Sequence, residues 1–285
     1  MKRILLVGAP RSGTTLLQSL LAAHPRVASF TESHLFSRYF SRRLRGSIVL
    51  LRPGLRERAG AFLLENGLDP TRFGTLLAAL PSRGSWLPWR TSEAARGVIA
   101  LLDAAAAEQG AETWLEKTPM HLRQLDVIEP SVPGGEVRVI HIVRRGPDMV
   151  ASLYAASRAW GEGYSLEQCI RRWNRDLEHT LARLRAGHPD VVVLYEELTA
   201  SPRRVVDDVL RRLGLEPDDS IMERYGAVAG SVTAEGERWK EGSGRRIRPS
   251  STFEEVLAPA QRDRALAAIR GDLYDEVRGY VGGDR

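Results

Sequence analysis

Cysteine is almost absent from this chain of 285 residues, and recognisable metal-binding patterns are missing altogether. The single cysteine, Cys169, excludes an intrachain disulfide and any metal site built from several cysteines. It stands among apolar residues at helical spacing, which predicts a thiol buried in the core. The six histidines show neither an H-E-x-x-H motif nor a paired spacing, so we expect no bound metal.

Long hydrophobic runs are also missing, and none approaches the length that spans a membrane. The apolar run that follows Arg3 is too short for a secretory signal and has no cleavage site before Gly8. We therefore expect a cytoplasmic protein without a membrane span. Neither a Pro/Gly/Ser-rich linker nor a fixed repeat divides the sequence, which favours a single domain over residues 1–285.

Lysine is scarce although the chain is basic. The 41 basic and 36 acidic residues give a net charge of +5, yet the only lysines are Lys2, Lys117 and Lys240. An arginine excess with abundant alanine and glycine often reflects codon bias, but it also fits an anionic ligand. Because no basic stripe is interleaved with aromatic residues, we do not expect a nucleic-acid partner.

A glycine loop follows the first predicted strand. Residues 3–7 form an apolar run typical of a buried parallel strand, and residues 14–23 have leucines at helical spacing. Between them, Gly8 and Gly13 occupy the glycine positions of a G-x-x-x-x-G-K-[ST] phosphate loop. Thr14 stands where that loop has its lysine. Enzymes that act on triphosphates add this lysine and Mg²⁺ to the loop amides, so its absence indicates a less highly charged anion.

The residues of the loop suggest which anion it binds. It offers backbone amides, hydroxyl groups and the cation of Arg11, which together suit a phosphosulfate. The segment Pro-Arg-Ser-Gly-Thr-Thr at residues 10–15 resembles the 5′-phosphosulfate loop of sulfotransferases that use 3′-phosphoadenosine 5′-phosphosulfate (PAPS). This resemblance implies that the 5′-phosphosulfate is held by Arg11, Ser12, Gly13, Thr14 and Thr15. Arg11 would also stabilise charge during transfer.

A second anion site is predicted after the strand at residues 137–143. Arg144 follows that strand, and a helix expected from about Pro147 carries Ser152 on its second turn. A helix N-terminus with adjacent positive charge suits an anion. The pattern resembles the 3′-phosphate site of the same family and implies that Arg144 and Ser152 hold this phosphate. Whether Arg158 contributes stays open, and a surface arginine beside an ordinary helical serine is the alternative.

Two chemical groups follow other predicted strands. Lys117 comes after the strand at residues 113–116 and precedes Thr118 and Pro119. In sulfotransferases a lysine in a Lys-Thr-Pro turn faces the transferred group, so the resemblance implies that Lys117 stabilises charge on the sulfuryl group and the leaving phosphate. The alternative is a solvated surface lysine.

Glu32 follows the strand predicted at residues 27–30. It resembles the general base of tyrosyl-protein sulfotransferases, which lies in a similar loop–helix–strand arrangement, and is our candidate to deprotonate the acceptor. Cytosolic small-molecule sulfotransferases instead have a histidine base at the position that Pro119 occupies here. His34 and His121 are therefore second choices.

The resemblance extends to the late strand at residues 191–195, where it places Tyr195 in the nucleotide site. More loosely, residues 242–246 resemble a loop that closes over the 3′-phosphate, with Arg245 and Arg246 as contacts. Residues 38–110 and 220–251 match nothing we can name, and we expect them to be acceptor-side insertions. Residues 282–285 are expected to be a disordered tail.

Together these motifs predict an α/β protein with a P-loop NTPase-like parallel sheet flanked by helices. The implied enzyme moves a sulfuryl group in line from PAPS to a hydroxyl or amine, releases adenosine 3′,5′-bisphosphate and needs no metal. The acceptor, whether a small molecule, carbohydrate, lipid or peptide, stays open, as does the oligomeric state. A P-loop kinase for a small molecule and a basic nucleic-acid-binding module are the weaker alternatives.

Overall fold

Five parallel strands form the central sheet. The computed structural model describes residues 1–43, 48–231, 247 and 252–281. The sheet strands are β1 (Lys2–Gly8), β2 (Val27–Ser29), β5 (Thr113–Lys117), β6 (Arg138–Val143) and β7 (Val191–Leu194), and their order in the sheet is β2–β5–β1–β6–β7. Each predicted strand is present, with ends within one residue of expectation. The predicted α/β class is therefore confirmed.

Helices cover both faces of the sheet. They are α1 (Thr14–Ala22), α2 (Leu35–Tyr39), α3 (Leu55–Glu65), α4 (Gly74–Ala79), α5 (Pro88–Glu108), α6 (Leu125–Ile128), α7 (Gly146–Ala159), α8 (Leu166–Arg185), α9 (Tyr195–Ala200), α10 (Pro202–Arg212), α11 (Ile221–Ser231), α12 (Phe253–Val256), α13 (Pro259–Ala268) and α14 (Gly271–Arg278). Short 3₁₀ turns cover Pro70–Phe73, Pro119–Gln124, Glu129–Ser131 and Pro133–Gly135. In the described part of the chain, no helix is long and apolar enough to cross a bilayer.

The apolar run of β1 is continuous because the strand is buried on both faces. Ile4 and Leu6 pack with residues of α1 and α10, whereas Leu5 and Val7 pack into the core that contains α5. A third apolar cluster joins the ends of β6 and β7 to α7, α8 and the last helices. Cys169 lies in this third cluster, as predicted, and burial raises the pKa of its thiol to about 11.

The strand order creates a crevice at the carboxyl edge of the sheet. From β1 the chain crosses to β2 on one side, and from β6 it crosses to β7 on the other. Strands β1 and β6 are neighbours in the sheet, with Val7 opposite His141 and Gly8 opposite Ile142. Because their connections diverge, the loops that follow them open a cleft, the usual ligand position in open parallel sheets.

The described part of residues 38–110 has regular secondary structure, although its sequence resembles no motif that we can name. It contains an antiparallel hairpin, β3 (Phe40–Arg43) with β4 (Ile48–Leu51), and the 21-residue helix α5. Alanine supplies much of the buried face of α5, which makes its apolar periodicity weak in sequence. Trp86 and Trp89, before and at the start of this helix, are 67% and 55% exposed.

Candidate active site

The backbone conformation of the glycine loop explains why a glycine stands at position 13. Arg11 has φ of 68° and Gly13 has φ of 90°, both in the left-handed region, and Gly13 precedes the first turn of α1. A Cβ atom at Gly13 would lie 2.4 Å from Cδ2 of Tyr195. Any larger residue would therefore push the loop off the Tyr195 ring, so glycine is required both for space and for backbone freedom.

The structure brings together Arg11, Arg144, Ser152 and Tyr195, which the sequence assigned to the nucleotide. Arg11 Nε donates to Ser152 Oγ at 3.1 Å, and Arg144 donates to the Arg11 carbonyl at 3.0 Å. The Arg144 guanidinium lies over the Tyr195 ring, 4.5 Å from its centroid. Burial and the positive charge of Arg144 lower the pKa of Arg11. An anion between these two guanidinium groups would relieve their repulsion.

Ser12 supplies an independent indication of a ligand site. Its side chain is buried, and among the described residues its Oγ has no hydrogen-bond partner. Buried hydroxyl groups in proteins are almost always satisfied by protein, water or ligand. The loop therefore fits the phosphosulfate group that the sequence implied.

Glu32 and Lys117 form an ion pair at the same edge of the sheet. Lys117 Nζ lies 2.6 Å from Glu32 Oε1, and the lysine side chain is fully buried. Their proximity follows from the pairing of β2 with β5, since each residue lies at or just beyond the carboxyl end of its strand. The alternative of a solvated surface lysine is therefore wrong.

Comparisons with known proteins agree with this geometry. Residues 3–219 match the model of the family described as "Sulfotransferase family". The chain belongs to the sulfotransferase family. The prediction made from the sequence motifs is thereby confirmed, and neither the kinase nor the nucleic-acid-binding alternative is retained.

Individual relatives are distant. Protein-tyrosine sulfotransferase 1 of Danio rerio is 24% identical over 238 residues, which cover 82% of this chain and 59% of that protein. The chain thus spans about three fifths of the length of this relative. The sulfotransferase domain of the Synechococcus PCC 7002 olefin synthase has a TM-score of 0.57 at 19% identity, with 98% and 94% of the two chains covered. Mouse sulfotransferase SULT7A1, complexed with PAP, has a TM-score of 0.52 at 13% identity, with 98% and 89% covered. At these identities the two structures support the fold.

The two histidines considered as second-choice bases differ in position in this sulfotransferase. His34 Nε2 lies 3.6 Å from Glu32 Oε2, and burial lowers the pKa of His34 to about 4, so the ring is neutral at pH 7. His121 is buried, with Nδ1 2.8 Å from Glu116 Oε2 and Nε2 facing the Phe36 amide at 3.3 Å. Because Nε2 accepts from the Phe36 amide, Nδ1 is the ring nitrogen that donates to Glu116.

Glu116 is a buried polar centre that the sequence analysis missed. It is 1% exposed and accepts hydrogen bonds from Ser33 Oγ at 2.8 Å and Thr118 Oγ1 at 2.6 Å, in addition to His121. Burial alone would raise its pKa, but the neighbouring His121 and the two hydroxyl groups hold the pKa below its usual value. A carboxylate inside the apolar strand β5 was the available signal.

One group of potential metal ligands occurs among the described residues, away from the crevice. Side-chain atoms of Glu129, His188 and Asp190 lie within 4.8 Å of one another. Arg183 donates to both carboxylates at 2.7–3.0 Å, and His141 also contacts Asp190. Although burial opposes it, the hydrogen bonds from His141 and Arg183 lower the pKa of Asp190 to about 2. Arg183 thus already supplies the positive charge here.

Of the remaining predicted contacts, Thr14 and Thr15 directly follow Gly13 and are buried in the first turn of α1. Arg158 packs against Tyr154, with its guanidinium 4.1 Å from the ring centroid. Arg245, Arg246 and the tail at 282–285 lie outside the described residues.

Proposed function

We propose that this sulfotransferase moves a sulfuryl group from PAPS to a hydroxyl or amine of its acceptor by in-line displacement. The observation that carries the proposal is the placement of the Glu32–Lys117 pair beside the glycine loop. Lys117 is in register with Leu6 of β1, two residues before the loop begins at Gly8. A proton acceptor and a cation are therefore available next to the predicted phosphosulfate site.

The donor would be held in two places. The loop amides with Arg11, Ser12, Thr14 and Thr15 would bind the 5′-phosphosulfate. Arg144 and Ser152 would bind the 3′-phosphate, with Tyr195 as the surface on which the Arg144 guanidinium rests. Arg245 and Arg246 remain predicted additional contacts.

Glu32 and Lys117 would have separate roles in the reaction. Glu32 accepts the proton of the acceptor hydroxyl while the hydroxyl oxygen attacks the sulfur of PAPS. The bond between sulfur and the bridging oxygen of the 5′-phosphate breaks, and its electron pair remains on that phosphate oxygen. Lys117 and Arg11 stabilise the negative charge that develops there, which leaves adenosine 3′,5′-bisphosphate as the second product.

The acceptor class stays open among small molecules, carbohydrates, lipids and peptides. The Danio rerio relative, by its name, acts on protein tyrosine. Residues 38–110 and 220–251 remain our candidates for the acceptor side. A single domain over the whole chain, a cytoplasmic location and the absence of a nucleic-acid partner stay predictions of the sequence analysis.

We expect labelled sulfuryl transfer from PAPS to proceed unchanged in excess EDTA. The cations of Arg11 and Lys117 can neutralise the charge that develops, so no divalent ion is required. The measurement is radiolabel transfer to pooled phenols, sugars, lipids and tyrosine peptides, with and without EDTA. Loss of transfer that Mg²⁺ restores would contradict the metal-free reaction, and absence of transfer to every pool would count against the proposed acceptors.

Replacing Arg144 with alanine should weaken adenosine 3′,5′-bisphosphate by at least about tenfold and leave 5′-AMP little changed. A hydrogen bond to a charged group contributes roughly 1.5–3 kcal/mol, or about 10- to 150-fold in affinity. Calorimetry with both nucleotides measures the difference, and Ser152→Ala should have the smaller effect of the two variants. The neighbouring Arg145, whose side chain is 55% exposed and pairs with Asp148, provides the matched control Arg145→Ala.

Each variant should first melt near the parent temperature, so that lost binding is not lost folding. Equal weakening of both nucleotides in Arg144→Ala would show that this arginine does not recognise the 3′-phosphate. A parent protein without preference for the bisphosphate would contradict PAPS as the donor.

A further inference from the structure

Helix α3 belongs to residues 38–110, which match no motif that we can name. It forms hydrogen bonds with the backbone of the loop that carries Glu32. Arg58 Nε donates to the Ser33 carbonyl at 2.9 Å, and its Nη2 donates to the Glu32 carbonyl at 3.1 Å. The same guanidinium binds both oxygens of Glu65, at 2.5 and 3.0 Å. Because Glu65 lies two turns further along α3, it orients the planar fork of Arg58 toward the loop.

The C-terminal end of α3 holds the residue before Glu32. Thr31 donates its amide to Asn66 Oδ1 at 2.9 Å, and Asn66 Nδ2 donates to Thr31 Oγ1 at 3.1 Å. Asn66 Nδ2 also donates to the Phe62 carbonyl at 2.7 Å, which fixes the amide on the helix. Two side chains, Arg58 on α3 and Asn66 directly after its last residue, thus contact three successive residues of the loop.

On its opposite side, the loop contacts Glu116, Thr118 and His121, which are hydrogen-bonded to one another through Glu116 and are here called the Glu116 cluster. The His34 amide donates to Thr118 Oγ1, and the Phe36 amide donates to His121 Nε2, each at 3.3 Å. Many backbone N–H and C=O groups of the loop therefore form hydrogen bonds with side chains. In a sheet or a helix, such groups would bond to other backbone groups. The position of the Glu32 main chain consequently depends on a few identifiable side chains.

We propose that Arg58 is a positioning residue for sulfuryl transfer. It connects residues 31–36, here called the base loop, to helix α3; the last two of these residues begin helix α2. The proposal rests on the proposed role of Glu32 as the base. Without the guanidinium, the carbonyls of Glu32 and Ser33 lose their shared donor, while the contacts of the loop with Asn66, the Glu116 cluster and Lys117 remain. Small displacements of a reacting group cost large factors in rate, since transfer requires close alignment.

Arg56 offers a matched control on the same helix. Its Nε donates to the Leu80 carbonyl and its Nη2 to the Ala78 carbonyl, both at 2.8 Å. Arg56 therefore makes the same number of carbonyl contacts as Arg58, but to the end of α4 and not to the base loop. A general weakening of α3 would affect both variants alike.

Amide hydrogen exchange on the whole protein tests the inference without any acceptor. We expect Arg58→Ala to accelerate exchange at residues 31–36, whereas Arg56→Ala leaves this segment at the parent rate. Equal acceleration in both variants would reduce Arg58 to a structural residue of α3. Unchanged exchange in Arg58→Ala would overturn the proposal outright. Since this readout does not involve Glu32 chemistry, it separates failure of the inference from failure of the proposed function.

A kinetic test adds the link to catalysis, with labelled PAPS and 4-nitrophenol as the acceptor probe. Arg58→Ala should lower kcat by about tenfold, with little change in the affinity for adenosine 3′,5′-bisphosphate. Arg58→Lys should restore part of the rate, because an ammonium can reach one carbonyl but cannot span two. A fall in nucleotide affinity that accounts for the whole loss, or no recovery with lysine despite normal loop exchange, would contradict a positioning role.

Discussion

Replacing Glu32 with glutamine is expected to lower turnover by about 10²–10⁴-fold, the range that removal of a general base costs. Glutamine keeps the shape of the side chain and can still accept a hydrogen bond from Lys117, but it cannot take the acceptor proton at neutral pH. Affinity for adenosine 3′,5′-bisphosphate should change little. Steady-state transfer and calorimetry on the same preparation measure the two quantities. Glu112→Gln is a matched control, because Glu112 is exposed at the opposite edge of the sheet.

An intact rate in Glu32→Gln would move the base role to another group. His34 would be tested next, since it lies beside Glu32 and is neutral at pH 7, as burial lowers its pKa to about 4. His121 is less suited, because Glu116 and the Phe36 amide already occupy both of its ring nitrogens.

Replacing Lys117 with methionine should lower turnover by about 10²–10³-fold, the cost of losing one preorganised group that stabilises transition-state charge. Methionine preserves the apolar stem of a fully buried side chain while it removes the cation. Single-turnover transfer at saturating PAPS isolates the chemical step. Lys2→Met is the control, since the Lys2 ammonium binds the Gly214 carbonyl away from the crevice.

The double variant Glu32→Gln/Lys117→Met shows whether the two residues act together or independently in lowering the barrier to transfer. Because the side chains are in contact, the two losses should not multiply. Full multiplication would indicate that they act independently, in spite of the 2.6 Å contact. An unchanged rate in Lys117→Met alone would mean that this lysine only balances the charge of Glu32.

Much of the site could be predicted because its signals are local. The glycine loop, the arginine after β6 and the Lys-Thr-Pro turn are each contained in a few consecutive residues between a strand and a helix. Steric restriction of the backbone makes such segments readable: only glycine fits against Tyr195 at position 13, and a proline ends the strand after Lys117. The capping box at Ser165 and the helix that begins at Pro202 have local signals of the same kind.

The contacts between these segments could not be predicted in the same way. The Glu32–Lys117 pair joins residues 85 positions apart, and the bond between Arg11 and Ser152 joins residues 141 apart. Helix α5 and the β3–β4 hairpin were missed because alanine and arginine dilute their apolar periodicity.

For this protein, the sequence by itself determined the sulfotransferase family and the parallel α/β class, and it predicted the site residues from short motifs. These properties depend on local patterns that any chain with the same short motifs would share. Only the tertiary structure decided that Lys117 is buried against Glu32, that Glu116 accepts hydrogen bonds from several buried side chains, and that Arg58 of α3 binds the carbonyls of Glu32 and Ser33. Those facts depend on strand order and on how loops from distant positions pack, because side-chain hydrogen bonds form only after the sheet has brought their partners within about 3 Å.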